Sequence, residues 1–306
     1  MSSQACSIGP SLGSSESDDT QNVYLNCDAL RADTVMRRAG GENFPVVARI
    51  LPPQTRRDLL TIYGFARLVD QIGDDAPGDR IALLNALEED LERAYSSSAR
   101  HPLLRALSPT ILRHQIPRAP FKRLIEANRF DQRMTRIANW KDLLDYCELS
   151  ANPVGELVLH IFGQASGANV ALSDRVCSAL QIVEHCQDVA EDFDRGRIYL
   201  PASDLDFYHC RADWLRLDPA PEALRRVIGL QVSRARGLLL HGAAPLVRAL
   251  RGRARPMIAA YAGAGLATCD ALAAAGFNPN SLPVRPRTSR LVSRTIGLLI
   301  GLGHGR

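Results

Sequence analysis

Apolar residues recur at intervals of three and four through most of this chain, and that period predicts helices. It is clear in RRDLLTIYGFARLVDQIGDD (56–75), DRIALLNALEEDLERAY (79–95), FKRLIEANRFDQRM (121–134) and SDRVCSALQIVEHCQDVAEDF (173–193). Strand signals are almost absent, and Pro and Gly separate the helical segments. We therefore predict an all-α fold. Within it, Asp79 is expected to cap the helix after Gly78, and Ser173 the helix that enters Asp174.

The pattern divides the chain into one helical domain and two terminal segments. The 306 residues are 46% hydrophobic, which is enough for a substantial core. We predict a disordered N-terminal segment over 1–28, a helical domain over 29–280, and a basic, weakly apolar tail over 281–306. No uninterrupted apolar run reaches about 18 residues, so no membrane-spanning helix is expected.

Composition limits the partners and the compartment. The net charge of +4 comes from interspersed basic and acidic residues, which argues against nucleic-acid binding. Seven cysteines without a CxxC pair argue against a disulfide framework and favour a cytoplasmic location. The short apolar run from Thr295 to Leu302 leaves open a peripheral contact with the inner face of the membrane, and the oligomeric state is open as well.

Two of the predicted helices carry acidic stripes, and the first lies in residues 63–74. On a helix, residues three or four positions apart share one face. One face of this segment therefore presents Tyr63, Arg67, Asp70 and Asp74, whereas a second face is apolar. We expect the apolar face to be buried and the polar face to present two carboxylates beside a guanidinium.

The second acidic stripe lies in residues 181–195. If this segment is one helix, a single face presents Gln181, Glu184, Asp188, Asp192 and Arg195. Either stripe alone fits a solvent-facing surface with charge pairs. Like charges four residues apart repel each other, however, so two such stripes together favour a bound cation. Mg²⁺ commonly bridges protein carboxylates to substrate phosphates, and the stripes therefore predict a diphosphate site with Mg²⁺ as cofactor.

These segments resemble the squalene and phytoene synthase family. YGFARLVDQIGD (63–74) is similar to that family's first aspartate-rich motif, and QIVEHCQDVAEDFDRGRIYLP (181–201) is similar to its second. LLDYCELSANPVGELVLHIFG (143–163) resembles the family's Tyr-Cys helix, and the resemblance runs from about Glu42 to Ala275. It implies a single-domain, all-α class I isoprenoid synthase bundle around a central apolar cavity, with a prenyl diphosphate as substrate.

The resemblance also implies roles for particular side chains. The implied ligands of Mg²⁺, bound as more than one ion with the diphosphate, are Asp70, Asp74, Glu184, Asp188 and Asp192. The implied catalytic residues are Tyr146, Arg67 and Tyr63. The implied substrate-binding residues are Asn43, Phe44, Arg67, Gln181, Arg197 and Tyr199. Candidate walls for the hydrocarbon tails are Phe65, Val154, Leu157 and Phe162, although such residues are also common in ordinary cores.

Short motifs narrow the resemblance. ENFPV (42–46) and SANPVGELVL (150–159) resemble the bacterial hydroxysqualene synthases of the hopanoid pathway. This implies a lyase that converts presqualene diphosphate by diphosphate loss, cation rearrangement and water capture, with no need for NADPH. A head-to-head prenyltransferase that condenses two farnesyl or geranylgeranyl diphosphates shares the motifs and stays an alternative. A non-catalytic assembly factor of the same fold is a second alternative, which the retained aspartates oppose.

Glu184 departs from the family pattern, since Asn occupies this position in the second motif. We expect Glu184 to lie beside the metal and to raise the pKa of neighbouring carboxyl groups by like-charge repulsion. His185 is expected to be structural, because the seven histidines form no cluster with the spacing of metal ligands. Ser150 and Asn152 replace apolar residues of the family pattern, which fits the positioning of a water molecule.

Overall fold

Helices form most of the described chain. The computed structural model describes residues 16–37, 51–280 and 284–301. Its α-helices are α1 (Glu16–Asn26), α2 (Ala32–Arg37), α3 (Pro53–Asp74), α4 (Arg80–Ala94), α5 (Pro102–His114), α6 (Arg118–Asp131), α7 (Trp140–Ser150), α8 (Asn152–Ile161), α9 (Gly167–Gln187), α10 (Val189–Asp194), α11 (Ala202–Phe207), α12 (Glu222–Ala249), α13 (Ala254–Ala274) and α14 (Thr288–Leu299). Short 3₁₀ helices lie at Asp28–Leu30 and Ala212–Arg216. Within these ranges the only extended pairing is one isolated bridge between Arg136 and Ile198, so the predicted all-α class is confirmed.

Helix α3 holds the first acidic stripe in place through its apolar face. Phe65 is fully buried and meets the Phe121 ring of α6 edge-on, at 4.9 Å between ring centroids. Leu68 and Ile72 of the same face are also fully buried. Because α3 packs against α5, α6 and α8 in this way, its opposite face is left for polar side chains.

Helices α9, α12 and α13 form the second part of the core. Helix α12 packs along both α9 and α13. Gly242 permits the close approach of α12 to α9, because a Cβ there would lie 2.9 Å from the Cβ of Arg175 and 3.0 Å from the carbonyl oxygen of Leu172. This packing fixes the helix that carries Gln181 and Glu184.

The second acidic segment is not one continuous helix, so that prediction is wrong. Helix α9 ends at Gln187, and Asp188 adopts φ −99° and ψ 15° before α10 begins at Val189. The Asp192 N–H still donates to the Asp188 carbonyl oxygen at 2.8 Å, so the two residues stay one turn apart across this break. Whether Asp188 and Asp192 lie close to Asp70 and Asp74 of α3 therefore depends on how the helices pack.

The two predicted helix caps have different outcomes. Asp79 caps α4, since its Oδ1 accepts a hydrogen bond from the Ala82 N–H at 3.0 Å. Ser173 caps nothing, because it lies inside α9 and is buried. The cap of α9 is Ser166, whose Oγ accepts from the Asn169 N–H at 3.3 Å. The apolar period identified the middle of α9 but not its first two turns.

Part of the N-terminal segment predicted as disordered is helical, and the prediction is wrong for residues 16–28. Tyr24 of α1 is fully buried, and its hydroxyl donates to Asp90 Oδ2 of α4 at 3.3 Å. Tyr24, with the partly buried Val23 and Leu25 beside it, thus attaches a short polar helix to the domain. Residues 1–15 lie outside the described part of the chain.

The C-terminal helices pack against each other. Residues 288–299, within the predicted tail, form α14, which lies on α13. Among the described helices, α13 is the one that is long and apolar enough to cross a membrane. However, 61% of its most apolar window is buried inside the protein, as in the core helix of a soluble protein, so it is weak evidence of a membrane span.

Candidate active site

The two acidic segments line one cavity of about 270 Å³. Its walls come from α3, α6, α7, α9 and α10 and from the residues that follow α10. The structure brings together all five carboxylates that were predicted to hold metal, namely Asp70, Asp74, Glu184, Asp188 and Asp192. Their role as metal ligands stays a prediction.

Most of the other predicted site residues also line this cavity. They are Arg67, Tyr146, Gln181, Arg197 and Tyr199. Tyr63 does not line it and lies one turn before Arg67 on α3, partly buried. Asn43 and Phe44 lie outside the described residues. The candidate wall residues are elsewhere as well: Phe65 and Leu157 are fully buried in the core, and Val154 is 37% exposed.

Arginines pair with the carboxylates across the cavity. Arg197 Nη2 lies 2.8 Å from Asp74 Oδ1, and Arg195 Nη1 lies 3.6 Å from Asp74 Oδ2. Arg67 Nη1 lies 3.7 Å from Asp70 Oδ2 on the same helix. The Asp74 carboxylate therefore links α3 to the end of the second acidic segment, an ion pair that the sequence did not predict.

Burial is the main electrostatic influence on two of the aspartates. It raises the pKa of Asp70 to about 6, against the opposing effects of Arg67 and Asn128 and with help from the charges of Asp74 and Glu184. Burial likewise raises the pKa of Asp188 to about 6, and Glu184 is the next largest cause. Since 48% of the Asp70 side chain is exposed, and Asp188 is exposed as well, water screens both charges and limits the cost of ionising them.

Glu184 acts on both walls of the cavity. Its charge contributes to the raised pKa of Asp70 on α3 and of Asp188 at the end of α9. The expected like-charge effect is therefore present, although burial exceeds it at both positions. The Glu184 side chain therefore lies near both acidic segments and lines the cavity, although the residue is exposed to solvent.

A second acidic centre, which sequence reasoning missed, lies on α6. Asp131 Oδ2 accepts a hydrogen bond from the Tyr146 hydroxyl at 2.9 Å, and Asp131 Oδ1 accepts one from the Tyr199 hydroxyl at 3.0 Å. Burial raises the pKa of Asp131 to about 6, although both tyrosine hydroxyls and Arg197 oppose the rise. Both phenols are thus directed at one carboxylate in the cavity wall.

His185, which was expected to be structural, also lines the cavity. Its ring stacks on Tyr199 at 3.9 Å between centroids, and its Nδ1 lies 3.3 Å from Asp192 Oδ2. Asn128 of α6 was also missed, and its Nδ2 donates to Asp70 Oδ1 at 3.4 Å. The available signal was the polar spacing of Asn128 and Asp131, three residues apart on a helix whose other face is apolar.

The donor set suits a metal that arrives with a phosphate. No group of three or more His, Cys, Asp or Glu side chains in the described ranges is arranged to hold a metal ion alone. The cavity nevertheless presents carboxylate oxygens from opposite walls, and Mg²⁺ is usually held by one or two carboxylates together with water and substrate phosphates. The residues therefore fit Mg²⁺ bound jointly with a diphosphate.

Comparison with known proteins identifies the family. The sequence matches the family model for squalene/phytoene synthase over residues 37–292, which is most of the chain. The chain belongs to the squalene/phytoene synthase family. Members of this family act on prenyl diphosphates, which agrees with the resemblance found in the motifs.

Individual relatives of this chain are named for different reactions. The chain is 35% identical over 192 residues to the phytoene synthase of Mycobacterium tuberculosis and 35% identical over 179 residues to the hydroxysqualene synthase of Sinorhizobium fredii. These matches cover 62% and 57% of this chain, and only 62% and 59% of the length of the relatives. The crystal structure of squalene synthase HpnC from Alicyclobacillus acidocaldarius is 40% identical, with a TM-score of 0.74 and coverage of 86% of this chain and 97% of that chain.

Proposed function

We propose that this member of the squalene/phytoene synthase family converts presqualene diphosphate to hydroxysqualene by loss of diphosphate, rearrangement of the cation and capture of water. The observation that carries the proposal is the Asp131 carboxylate, which accepts hydrogen bonds from Tyr146 and Tyr199 in the same cavity as the acidic segments. Water capture releases a proton, and a hydride quench does not. A partly buried carboxylate with a pKa of about 6 is a suitable acceptor for that proton.

The acidic segments and arginines bind the leaving group in this proposal. Asp70, Asp74, Glu184, Asp188 and Asp192 would hold Mg²⁺, which supplies positive charge to the departing diphosphate. Arg67, Arg195 and Arg197 supply guanidinium groups that bind phosphate oxygens. Because Arg195 and Arg197 pair with Asp74 in the free protein, binding of diphosphate exchanges one anionic partner for another.

The water-capture step needs no proton acceptor other than a group that lines the cavity. The water oxygen forms a C–O bond with the rearranged cation, one O–H bond of that water breaks, and the proton passes to an oxygen of Asp131. Tyr146 and Tyr199 orient this carboxylate and present their hydroxyls and ring faces to the cation. Ser150 also lines the cavity, whereas Asn152 is buried and its Oδ1 accepts from Ser178, so only Ser150 is placed to contact the water.

A head-to-head prenyltransferase is the second candidate, because the phytoene synthase of Mycobacterium tuberculosis is as similar to this chain as the hydroxysqualene synthase is. In that reaction two prenyl diphosphates condense, and the same acidic segments would bind their diphosphate groups. Asp131 would then accept the proton that is lost from carbon when the new carbon–carbon bond forms. The cavity fits both reactions, and the product discriminates between them.

Product analysis tests the proposal. The purified protein is incubated separately with presqualene, farnesyl and geranylgeranyl diphosphates, each with Mg²⁺ and with or without NADPH, and the extracts are analysed by gas chromatography and mass spectrometry. We expect hydroxysqualene from presqualene diphosphate, independent of NADPH. Presqualene diphosphate or phytoene formed from the shorter substrates would establish the prenyltransferase. Squalene formed only with NADPH would establish a reductive synthase, and no product from any substrate would favour the assembly factor.

A further inference from the structure

Helix α14 exposes a row of large apolar side chains. Val292 is 47% exposed, Ile296 is 50% exposed and Ile300, directly after the helix, is 63% exposed. These residues are four positions apart and so share one side of the helix. We refer to Val292, Ile296 and Ile300 as the α14 stripe.

The stripe cannot turn inward, because the other side of α14 is fixed to the domain. Leu298 is buried, and Arg294 forms an ion pair with Asp270 of α13 at 2.8 Å. Gly263 lets the helices approach, since a Cβ there would lie 2.8 Å from the backbone nitrogen of Thr295. Arg255 Nη2 also donates to the carbonyl oxygen of Leu299 at 2.7 Å. The outward direction of the stripe is therefore a consequence of the packing.

The surroundings of the stripe are basic. The sequence contains no Asp or Glu after Asp270, but it contains five arginines there: 285, 287, 290, 294 and 306. Arg285, Arg287 and Arg290 are exposed, and no ion pair of theirs is found within the described ranges. The positive charge at this end of the molecule would attract an anionic surface.

We propose that the α14 stripe and its flanking arginines dock on an anionic lipid bilayer. Helices that lie in a membrane interface combine an apolar side with basic residues, and both features are present. A nucleic acid would need the arginines but not the stripe. A second copy of the chain would need the stripe, but a two-fold interface would bring Arg287 and Arg290 towards their own copies and add like-charge repulsion.

The segment before α14 lies close to the candidate active site. The carbonyl oxygen of Val284 accepts a hydrogen bond from Gln187 Nε2 at 2.8 Å, and Gln187 precedes Asp188. Membrane docking through α14 would thus hold this side of the cavity towards the lipid, from which an isoprenoid could enter. That consequence rests on the proposed function, whereas the docking itself does not.

Vesicle co-sedimentation of the full chain tests the docking. The vesicles are phosphatidylcholine alone, or an equal mixture of phosphatidylcholine and phosphatidylglycerol. We expect binding to the mixed vesicles that weakens as salt is added. Val292→Ser with Ile296→Ser removes two half-exposed apolar side chains and should weaken that binding at least about tenfold. Arg287→Gln with Arg290→Gln should weaken it by a similar factor and reduce its dependence on salt.

The control is Leu112→Ser, since Leu112 is 53% exposed on α5, outside α14, and should leave vesicle binding unchanged. Circular dichroism of each variant verifies the fold, and turnover of a soluble prenyl diphosphate without vesicles tests the site independently. Vesicle binding that survives the stripe variant would overturn the proposal. So would a dimer, detected by analytical ultracentrifugation, that the stripe variant dissociates, because the occupant would then be a second copy. An inactive protein that still binds vesicles through the stripe would reject only the proposed function.

Discussion

Replacement of Asp131 by Asn tests the proposed function most directly. The change keeps the shape of the side chain but removes a charge and a proton acceptor that two tyrosine hydroxyls contact. General base catalysis typically contributes about 10²–10⁴-fold to a rate, so we expect kcat for hydroxysqualene formation to fall at least about a hundredfold. The KM for presqualene diphosphate should change little, because Asp131 is not expected to bind the diphosphate.

The same substitution should stabilise the fold above neutral pH. In the folded protein the pKa of Asp131 rises from 3.8 to about 6, so between these values the folded state holds a proton that the unfolded chain has lost. The stability associated with the protonated form is present at low pH and is lost as the pH rises through about 6. Two pKa units correspond to about 3 kcal/mol, so Asp131→Asn should raise the melting temperature at pH 7.5 by about 5 °C, and by less at pH 4.

Steady-state kinetics and thermal melts over pH 4–8 measure both effects. The matched control is Asp145→Asn on α7, because the Asp145 side chain is 52% exposed, pairs with Lys141 at the surface and does not line the cavity. A variant that is both inactive and less stable would show that Asp131 merely holds the fold together. Near wild-type turnover would refute its role as proton acceptor.

Four further substitutions probe the acidic segments. Asp70→Asn or Asp188→Asn should abolish turnover, while the melting temperature stays constant or rises slightly above pH 6, because burial raises the pKa of both groups. Glu184→Asn should keep activity and flatten the loss of Mg²⁺ affinity as the pH falls, as measured by Mg²⁺ titrations at several pH values. Gly73→Ala would place a Cβ 2.0 Å from Asn128 Oδ1 and displace its hydrogen bond to Asp70. We expect turnover to fall several-fold, with the melting temperature almost unchanged because the gain in helix propensity of about 1 kcal/mol offsets the displacement.

Each of these expectations has a contrary result. Product formation at the wild-type rate by the Asp70 or Asp188 variants would remove them from the metal site. An unchanged pH profile of Mg²⁺ affinity would place Glu184 outside it. For Gly73 the control is Gly237→Ala, because a Cβ at Gly237 meets nothing within 4 Å. Equal turnover by the two alanine variants would show that Asn128 does not support Asp70.

The sequence predicted the features that depend on helical periodicity and short motifs. The stripe on α3 could be read directly, since that helix is regular from Pro53 to Asp74. The break at Asp188 could not, because the apolar period continues across it. Similarly, Asp131 lies on a helix without a recognised motif, and its partners Tyr146 and Tyr199 are 15 and 68 residues away in the chain.

Short sequence patterns also gave wrong or incomplete predictions where the structure depends on contacts between distant residues. Helix α1 is polar enough to be taken for a disordered segment, yet Tyr24 attaches it to α4. The ion pair between Asp74 and Arg197 joins the two acidic segments directly, and neither motif predicts that contact by itself. In both cases the deciding contact joins distant parts of the chain, which a pattern over a few turns of helix does not contain.

The charges that line the cavity restrict which ligands it can bind. Six carboxylates line it, from Asp70, Asp74, Asp131, Glu184, Asp188 and Asp192, against three guanidinium groups, from Arg67, Arg195 and Arg197, which leaves three negative charges when all are ionised. A diphosphate ester would add roughly three more. Such a substrate can therefore enter only with compensating cations or with protons taken up by the carboxylates. By thermodynamic reciprocity, the affinity of the cavity for diphosphate must rise with the concentration of divalent cation, and its affinity for the cation must rise with diphosphate by the same factor.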